Sequence, residues 1–160
     1  RVSSPYQTER LHPVLGLRRP HTGIDLAAPT GTLIRAAGDG VIRFSGWQGG
    51  YGRTLILDHA REYSTLYAHL SRFKPGLREG SRVRRGEIIG YVGRSGLATG
   101  PHLHYEVRVN GVPHNPATVA LPGSPPLDGE RRAAFLRHAE PVLARIDLLR
   151  RTQLALQLAD

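Results

Sequence analysis

Polar and apolar residues alternate most regularly over positions 102–109, directly before an Asn-Gly pair. Side chains of a strand point to opposite faces with a period of two, so the pattern predicts a strand that ends in a tight turn. His102, His104 and Glu106 then lie on one face of this strand. Two histidines on one face suit a metal site, but a polar outer face is an equal alternative, because His-X-His alone is a weak signal.

Short apolar segments bounded by glycine and turn residues cover most of the chain before its last quarter. The segments at 53–59 and 63–69 predict a hairpin, and those at 32–36 and 41–45 predict strands on either side of a glycine-rich turn. Residues 76–93 repeat short apolar pieces between glycines. Many short strands without helices between them predict a mainly β fold, an antiparallel β-sheet or sandwich.

The last quarter of the chain has a different composition. Residues 122–127 are mostly proline, glycine and serine, which predicts a linker that follows a domain over residues 1–121. From Asp128 onward apolar residues recur at helical spacing, so we expect a helical extension over residues 128–160. Pro141 lies inside this pattern and predicts a break in the helix, because proline removes a backbone donor and clashes with the preceding turn.

The net charge is +9, and Lys74 is the only lysine, so arginine supplies nearly all of the positive charge. Such a surface favours polyanions, whether nucleic acid, acidic envelope polymers or anionic lipid headgroups. The arginines are scattered, and the chain has no helix-turn-helix, zinc-finger or RNA-binding signature. We therefore expect no nucleic-acid partner.

Cysteine is absent, which excludes disulfides and thiolate metal sites and fits an exported protein. No apolar run approaches the length of a membrane span. The chain starts at Arg1 with neither an initiating methionine nor a signal peptide. We expect a processed form or part of a larger parent with upstream domains.

Five residues are candidates for metal binding or proton transfer: His21, Asp25, His69, His102 and His104. His21 and Asp25 are four residues apart, which in an extended segment puts both on one face, and a glycine at position 23 leaves room for the backbone to approach an ion. A histidine satisfied at a strand end is the alternative for His69. The chain has no His-Glu-X-X-His, Gly-X-Ser-X-Gly or Walker motif, so helical zinc proteases in particular are excluded.

Three motifs follow one another along the chain: His21-Thr22-Gly23-Ile24-Asp25, Tyr67-Ala68-His69-Leu70 and Thr99-Gly100-Pro101-His102-Leu103-His104-Tyr105-Glu106. Together they resemble the lysostaphin-type zinc endopeptidases, which cut peptidoglycan cross-bridges, and the resemblance runs over about residues 3–116. Many members have Phe-Gly where this chain has Tyr6-Gln7. That departure and the Arg-Arg-Ala-Ala-Phe-Leu segment look closer to the murein DD-endopeptidases of the Gram-negative periplasm.

This resemblance implies a peptidase core whose loops form a groove, with one zinc ion per chain. It implies cross-linked peptidoglycan stem peptides as the substrate and a periplasmic, cell-envelope or secreted location in a bacterium. The residue types leave open which catalytic histidine takes a proton from water, and whether Glu106 orients a ligand or only forms a salt bridge. By resemblance, the zinc ligands are His21, Asp25 and His104, and the catalytic histidines are His69 and His102.

Four arginines lie in segments next to these motifs, and we expect some of them to line the groove and bind carboxylates of the stem peptide. These arginines are Arg18, Arg19, Arg53 and Arg94. Three other histidines fill no ligand position, and we expect them to be structural. They are His12, His59 and His114.

Two other interpretations remain open at this point. The chain could be an inactive relative that binds the cell wall or activates an amidase, although all five site residues are present. It could instead be a biotinyl or lipoyl carrier, because residues 79–90 are similar to part of a carrier half-barrel. A carrier needs a lysine at a hairpin tip, and the sole lysine, Lys74, lacks the flanking sequence of such a tip.

Overall fold

The described part of the chain divides into a strand-rich unit and a helical unit. The two compact units are residues 1–120 and 121–160. The predicted linker at 122–127 and His12 lie outside the described residues. The computed structural model describes residues 1–11, 18–60, 62–120 and 128–157.

The strands are short, as the apolar pattern predicts, and follow one another closely along the chain. A 3₁₀ turn, Gly49–Tyr51, precedes the seventh strand, and the second unit contains the helix α1 (Gly129–Gln157). In chain order the strands are β1 (Val2–Ser4), β2 (Gln7–Leu11), β3 (Arg18–His21), β4 (Ile24–Ala27), β5 (Leu33–Arg35), β6 (Gly40–Trp47), β7 (Arg53–Asp58), β8 (Tyr63–Ala68), β9 (Leu70–Phe73), β10 (Arg82–Val83), β11 (Ile88–Val92), β12 (His102–Val109) and β13 (Val112–His114).

Eight strands form the main sheet, in the order β1-β4-β12-β8-β7-β6-β10, with β13 paired to β12. Every strand pairing in the described residues is antiparallel, which confirms the predicted fold class. The predicted central strand, β12, lies between β4 and β8. Its register places His104 opposite both Asp25 and Ala68, so these three residues share one face of the sheet.

The main hydrophobic core joins this sheet to a three-stranded sheet with the order β5-β11-β9. Because side chains alternate along β12, Leu103 and Tyr105 pack against the main core, while His104 and Glu106 point to the other face. The buried residues of the core are Ile34, Ala36, Ile42, Leu55, Leu57, Tyr67, Leu70, Val83, Ile89 and Val92. A smaller buried cluster consists of Ile56, Leu66 and Ala68.

The predicted hairpin and the predicted tight turn are both confirmed. β7 pairs with β8, with Leu55 opposite Tyr67. After β12, Asn110 and Gly111 have φ angles of 50° and 79°, the left-handed values that a type I′ turn needs. The chain then returns as β13.

The strands on either side of the glycine-rich turn at 38–40 do not pair with each other. β5 pairs with β11, whereas β6 pairs with β7 and β10, so the two strands belong to different sheets. Ile34 of β5 and Ile42 of β6 both enter the main core. The turn therefore carries the chain from one sheet to the other.

The helix α1 runs without a break from Gly129 to Gln157, so the predicted break at Pro141 is wrong. Proline leaves the carbonyl of Arg137 without its helical donor, but both residues are exposed, so water can take that place. Asp128 caps the first turn by accepting a hydrogen bond from the Arg131 N–H, as expected of an N-cap. No helix in the described ranges is both long enough and apolar enough to cross a bilayer.

Candidate metal centre

His21, Asp25 and His104 come together on the face of β12 that points away from the main core. Asp25 and His104 are opposite each other across the β4–β12 pair, and His21 ends β3 just before β4. His21 Nε2 lies 3.0 Å from Asp25 Oδ1 and 3.2 Å from His104 Nδ1, and the last two atoms are 2.9 Å apart. Within the described ranges, this is the one group of three such ligand atoms close enough to share an ion.

In each histidine of this group, the ring nitrogen that faces away from Asp25 forms a hydrogen bond that fixes the ring. His21 Nδ1 lies 2.6 Å from the Pro5 carbonyl oxygen, and His104 Nε2 lies 2.9 Å from Glu106 Oε1. A carbonyl or carboxylate oxygen can only accept a hydrogen bond, so both of these nitrogens donate. The remaining nitrogens, His21 Nε2 and His104 Nδ1, therefore present lone pairs to a shared point.

Zinc fits the three converging atoms. In tetrahedral coordination with bonds of about 2.0–2.1 Å, two ligand atoms lie roughly 3.3 Å apart, close to the separations found here. Lone pairs directed at one point repel each other unless a cation lies among them. Two imidazoles and one carboxylate form a donor set that suits zinc and leaves a fourth position for water.

The electrostatics of the group favour a bound cation. Burial alone would raise the pKa of Asp25, but the His104 and His21 rings beside the carboxylate outweigh burial and hold that pKa well below its usual range. Burial would likewise raise the pKa of Glu106, but hydrogen bonds from His104, Thr22 and Tyr51 lower it to about 2. Burial would lower the pKa of His104, but the negative charges of Asp25 and Glu106 on either side of the ring raise it. Both carboxylates are therefore negative at neutral pH.

His69 and His102 lie beside this group, with ring centroids 4.7 Å apart. His69 Nδ1–H donates to the Ser95 carbonyl oxygen at 2.7 Å, and His102 Nδ1–H donates to that of Gly100 at 2.9 Å. When a ring with this bond is neutral, Nε2 carries the lone pair. Burial lowers the pKa of His69 to about 4, so this ring is neutral at neutral pH.

His69 has a strained backbone. It follows β8 directly, and its φ is 60°, a left-handed value that costs a non-glycine residue about 1–3 kcal/mol. The conformation is held by its own N–H, which donates to the Tyr51 carbonyl oxygen at 2.9 Å. Strain of this kind clusters at functional sites, so it supports a functional histidine over one that only satisfies a strand end.

The five residues line an open cavity of about 720 Å³. Its walls come from the N-terminal segment, from the 3₁₀ turn and from the loop before β12, in addition to β3 and β4. Loops thus form much of the cavity wall, as the family resemblance implies. An open cavity of this size can admit an extended chain to the metal centre.

The lining contains no arginine or lysine among the described residues. Arg18 is 80% exposed and pairs with Glu9 at 3.3 Å. The Arg53 backbone N–H donates to Ser95 Oγ in the loop before β12, while the Arg53 side chain is exposed. Arg94 is exposed as well. None of these three arginines lines the cavity, and the side chain of Arg19 lies outside the described part. That some of the four bind stem-peptide carboxylates stays a prediction.

Sequence reasoning missed two hydroxyl groups, those of Thr22 and Tyr51, which both hydrogen-bond Glu106 behind His104. Hydroxyl residues of this kind carry no spacing signal, and Tyr51 lies in a glycine-rich loop without strand periodicity. His59 and His114 do not line the cavity. His59 instead binds the Asp39 carbonyl oxygen and the Thr65 hydroxyl, a structural arrangement.

Gly23 makes room for a neighbouring strand, whereas the sequence suggested room for an ion. A Cβ at this position would collide with the Tyr105 carbonyl oxygen and would lie 2.9 Å from Glu106 Cγ and 3.0 Å from His104 Cε1. The glycine therefore allows the segment between His21 and Asp25 to lie directly against β12.

Gly23→Ala is expected to lower the free energy of unfolding by about 1–3 kcal/mol, because the added methyl group must push β12 away. Urea unfolding of the metal-free protein measures the change. Gly100→Ala is the matched control, since a Cβ there meets nothing within 4 Å. We expect the control to change stability by no more than about 0.5 kcal/mol. Wild-type stability in Gly23→Ala would show that the close approach is not needed.

Comparison with known proteins connects this geometry to a family. The model of peptidase family M23 matches residues 19–116, a range that includes all five site residues. A DD-carboxypeptidase/endopeptidase named Mpg, from Neisseria meningitidis, is 53% identical over 149 residues, which cover 91% of this chain and 34% of that protein. The chain thus spans about a third of the length of this curated relative.

Two solved structures share the fold. A zinc-containing peptidase from Vibrio cholerae has a TM-score of 0.70 and 35% identity, over 76% of this chain and 37% of that chain. The catalytic domain of lysostaphin, from Staphylococcus simulans, has a TM-score of 0.65 and 28% identity, over 73% of this chain and 89% of that domain. The motif order, the antiparallel fold and the sequence match agree, and the chain belongs to peptidase family M23, a family of zinc metallopeptidases.

Proposed function

We propose that this protein is a zinc-dependent endopeptidase that hydrolyses the peptide cross-links of bacterial peptidoglycan, as a DD-endopeptidase of the periplasm or cell envelope. The observation that carries the proposal is the arrangement of three converging ligand atoms and two further histidines around one open cavity. Family membership supports peptidase chemistry, and the name of the Neisseria relative supports the DD class of bond.

His21, Asp25 and His104 hold one zinc ion in this proposal, through Nε2, Oδ1 and Nδ1. When bound, zinc supplies Lewis acidity, which makes water more acidic and polarises a carbonyl group. Asp25 is the single charged ligand, so the centre keeps a net positive charge that favours the oxygen of a peptide carbonyl.

His69 and His102 handle protons in this proposal. Their Nδ1 hydrogens are committed to Ser95 and Gly100 carbonyl oxygens, which orients the rings and leaves Nε2 as the basic atom. A neutral ring beside the metal centre can accept a proton from water, and the ring that carries a proton can donate it to the leaving amine or to the developing oxyanion. Either histidine can fill either role in this geometry.

The cavity walls suit an extended peptide with small side chains. The lining loop before β12 consists of Leu97, Ala98, Thr99, Gly100 and Pro101, none of them charged. The D-alanyl residue on the carbonyl side of a DD cross-link carries only a methyl group, which such walls can accommodate. The exposed arginines outside the cavity favour attraction to acidic polymers of the cell envelope.

The alternative of an inactive relative that binds the cell wall or activates an amidase has less support. Loss of catalysis in such a relative calls for a replaced ligand or catalytic residue, and none of the five positions is replaced. The carrier interpretation has no support either. Lys74, the residue that a carrier would modify, forms an ion pair with Glu87 at 3.1 Å. The chain also matches a peptidase family over residues 19–116.

Digestion of purified cross-linked peptidoglycan tests the proposal. We expect mass spectrometry to show that cross-linked muropeptide dimers are converted to monomers, and that a metal chelator stops the conversion. His69→Ala protein is the matched control for contaminating hydrolases. Dimers that persist with zinc-loaded wild-type protein would contradict the endopeptidase proposal and favour the inactive-relative alternative.

A further inference from the structure

Behind His104 lies a polar cluster around a buried carboxylate, which neither metal binding nor proton transfer accounts for. It consists of Glu106, Arg108, Tyr51 and Thr22, and is called the Glu106 cluster here. Glu106 is 0% exposed. A carboxylate is almost never buried to this extent unless its charge is paired and its oxygens are hydrogen-bonded.

The two oxygens of Glu106 have separate partners. Oε2 accepts from Arg108 Nε at 2.7 Å, and Arg108 Nη2 lies 2.7 Å from the same oxygen. Oε1 accepts from His104 Nε2 at 2.9 Å, from the Tyr51 hydroxyl at 2.7 Å and from the Thr22 hydroxyl. Arg108 therefore balances the charge, while three donors hold the oxygen that faces His104.

The Glu106 cluster joins the segments that carry the rest of the site. Thr22 directly follows His21, and Glu106 lies two residues beyond His104 on the same face of β12. Tyr51 belongs to the 3₁₀ turn, and its carbonyl oxygen accepts the His69 N–H. The hydroxyl groups of Thr22 and Tyr51 are 3.2 Å apart, which closes the cluster.

We propose that the Glu106 cluster positions His104 as a metal ligand. Glu106 accepts Nε2–H and so selects the tautomer and the ring orientation that present the Nδ1 lone pair to the ion. Without this acceptor the neutral ring can carry its hydrogen on Nδ1, where the hydrogen blocks the ligand lone pair. The inference rests on the proposed metal role of His104. A Glu–Arg pair that served stability alone would not need three donors on the oxygen that faces His104.

Zinc affinity, measured by competition with a chelator, tests this positioning role. Thermal unfolding of the metal-free protein, measured on the same variants, reports any change in stability. Glu106→Gln keeps the size of the side chain and removes its charge, and we expect zinc affinity to fall about 10–100-fold. Tyr51→Phe removes one donor from Oε1 but keeps the backbone carbonyl that His69 uses. We expect a smaller loss of affinity in Tyr51→Phe, which leaves the Glu106–Arg108 pair intact and so remains informative if Glu106→Gln does not fold.

Thr65→Val is the matched control variant. It also removes a hydroxyl group, but one that bonds to the Tyr67 hydroxyl and to His59 Nε2 on the main-core side of β8, away from His104. We expect it to lower the unfolding temperature of the metal-free protein and to leave zinc affinity unchanged. Cobalt(II) in place of zinc adds a spectroscopic readout, because its visible absorption bands depend on ligand geometry. We expect these bands to change in Glu106→Gln and Tyr51→Phe but not in Thr65→Val.

The inference is overturned if Glu106→Gln and Tyr51→Phe lower the unfolding temperature as Thr65→Val does and leave zinc affinity and the cobalt spectrum unchanged. The Glu106 cluster would then serve stability only, while the proposed function would stand. A wild-type chain that binds no zinc, or a His104→Ala chain that binds it as tightly as the wild type, would instead overturn the proposed metal role and this inference with it.

Discussion

Asp25→Ala is expected to remove zinc binding and peptidoglycan hydrolysis together. Asp25 supplies the only negative charge of the ligand group, and its Oδ1 lies 3.0 Å from His21 Nε2 and 2.9 Å from His104 Nδ1. Without it, two neutral imidazoles remain, too few for a catalytic zinc site, which has three protein ligands. Elemental analysis after desalting should find one zinc per wild-type chain and almost none in the variant, and muropeptide cleavage should be lost in parallel.

Asp58→Ala is the matched control for this prediction. Asp58 is also a carboxylate of the main sheet, but it is half-exposed and pairs with Arg43 at 2.8 Å, outside the cavity. We expect this control to keep its zinc and its activity. Full zinc occupancy in Asp25→Ala, or two zinc ions per wild-type chain, would contradict the proposed ligand set.

His69→Ala and His102→Ala are each expected to keep zinc and to lose about 10²–10⁴-fold in kcat, the usual contribution of a general acid or base. Neither histidine offers an atom to the group of three ligand atoms. Each instead carries its lone pair on Nε2 beside that group, because Nδ1–H donates to a backbone carbonyl oxygen. Steady-state kinetics on a soluble cross-linked muropeptide, with zinc content measured on the same samples, checks this prediction.

His138→Ala controls for the loss of a histidine as such. His138 also uses Nδ1 to bind a backbone carbonyl oxygen, that of Ala134, but it lies exposed on α1. We expect it to retain full activity. If His69→Ala released the zinc, His69 would belong to the ligand set and its assignment to proton transfer would be wrong.

Local patterns in the sequence determined the type of each element and the faces of the central strand. The period-two alternation over 102–109 predicts that His104 and Glu106 share a face, and both are buried on the side opposite Leu103 and Tyr105. The tight turn after β12 and the β7–β8 hairpin are confirmed for the same reason, because turn chemistry and strand alternation act between residues close in the chain. The five site residues followed from the order of three motifs, since no single spacing identifies them.

Predictions from neighbouring residues failed where they took no account of surrounding water or of which atoms of a residue make a contact. Pro141 leaves a carbonyl group without a helical donor, yet the helix continues because that stretch is exposed to water. Arg53 follows the 3₁₀ turn closely in sequence, yet only its backbone N–H contacts the loop before β12, at Ser95, and its side chain is exposed. Position along the chain therefore does not say which part of a residue faces a site.

Only the tertiary structure decided which atoms meet. His21 Nε2 and His104 Nδ1 converge across 83 positions of sequence because β3 leads into β4 and the β4–β12 register sets Asp25 opposite His104. Tyr51 reaches Glu106 across 55 positions, and β5 and β6 enter different sheets although only a short turn separates them. Register and sheet partners are chosen by burial of whole strand faces against distant segments, and that choice is not contained in the periodicity of any one segment.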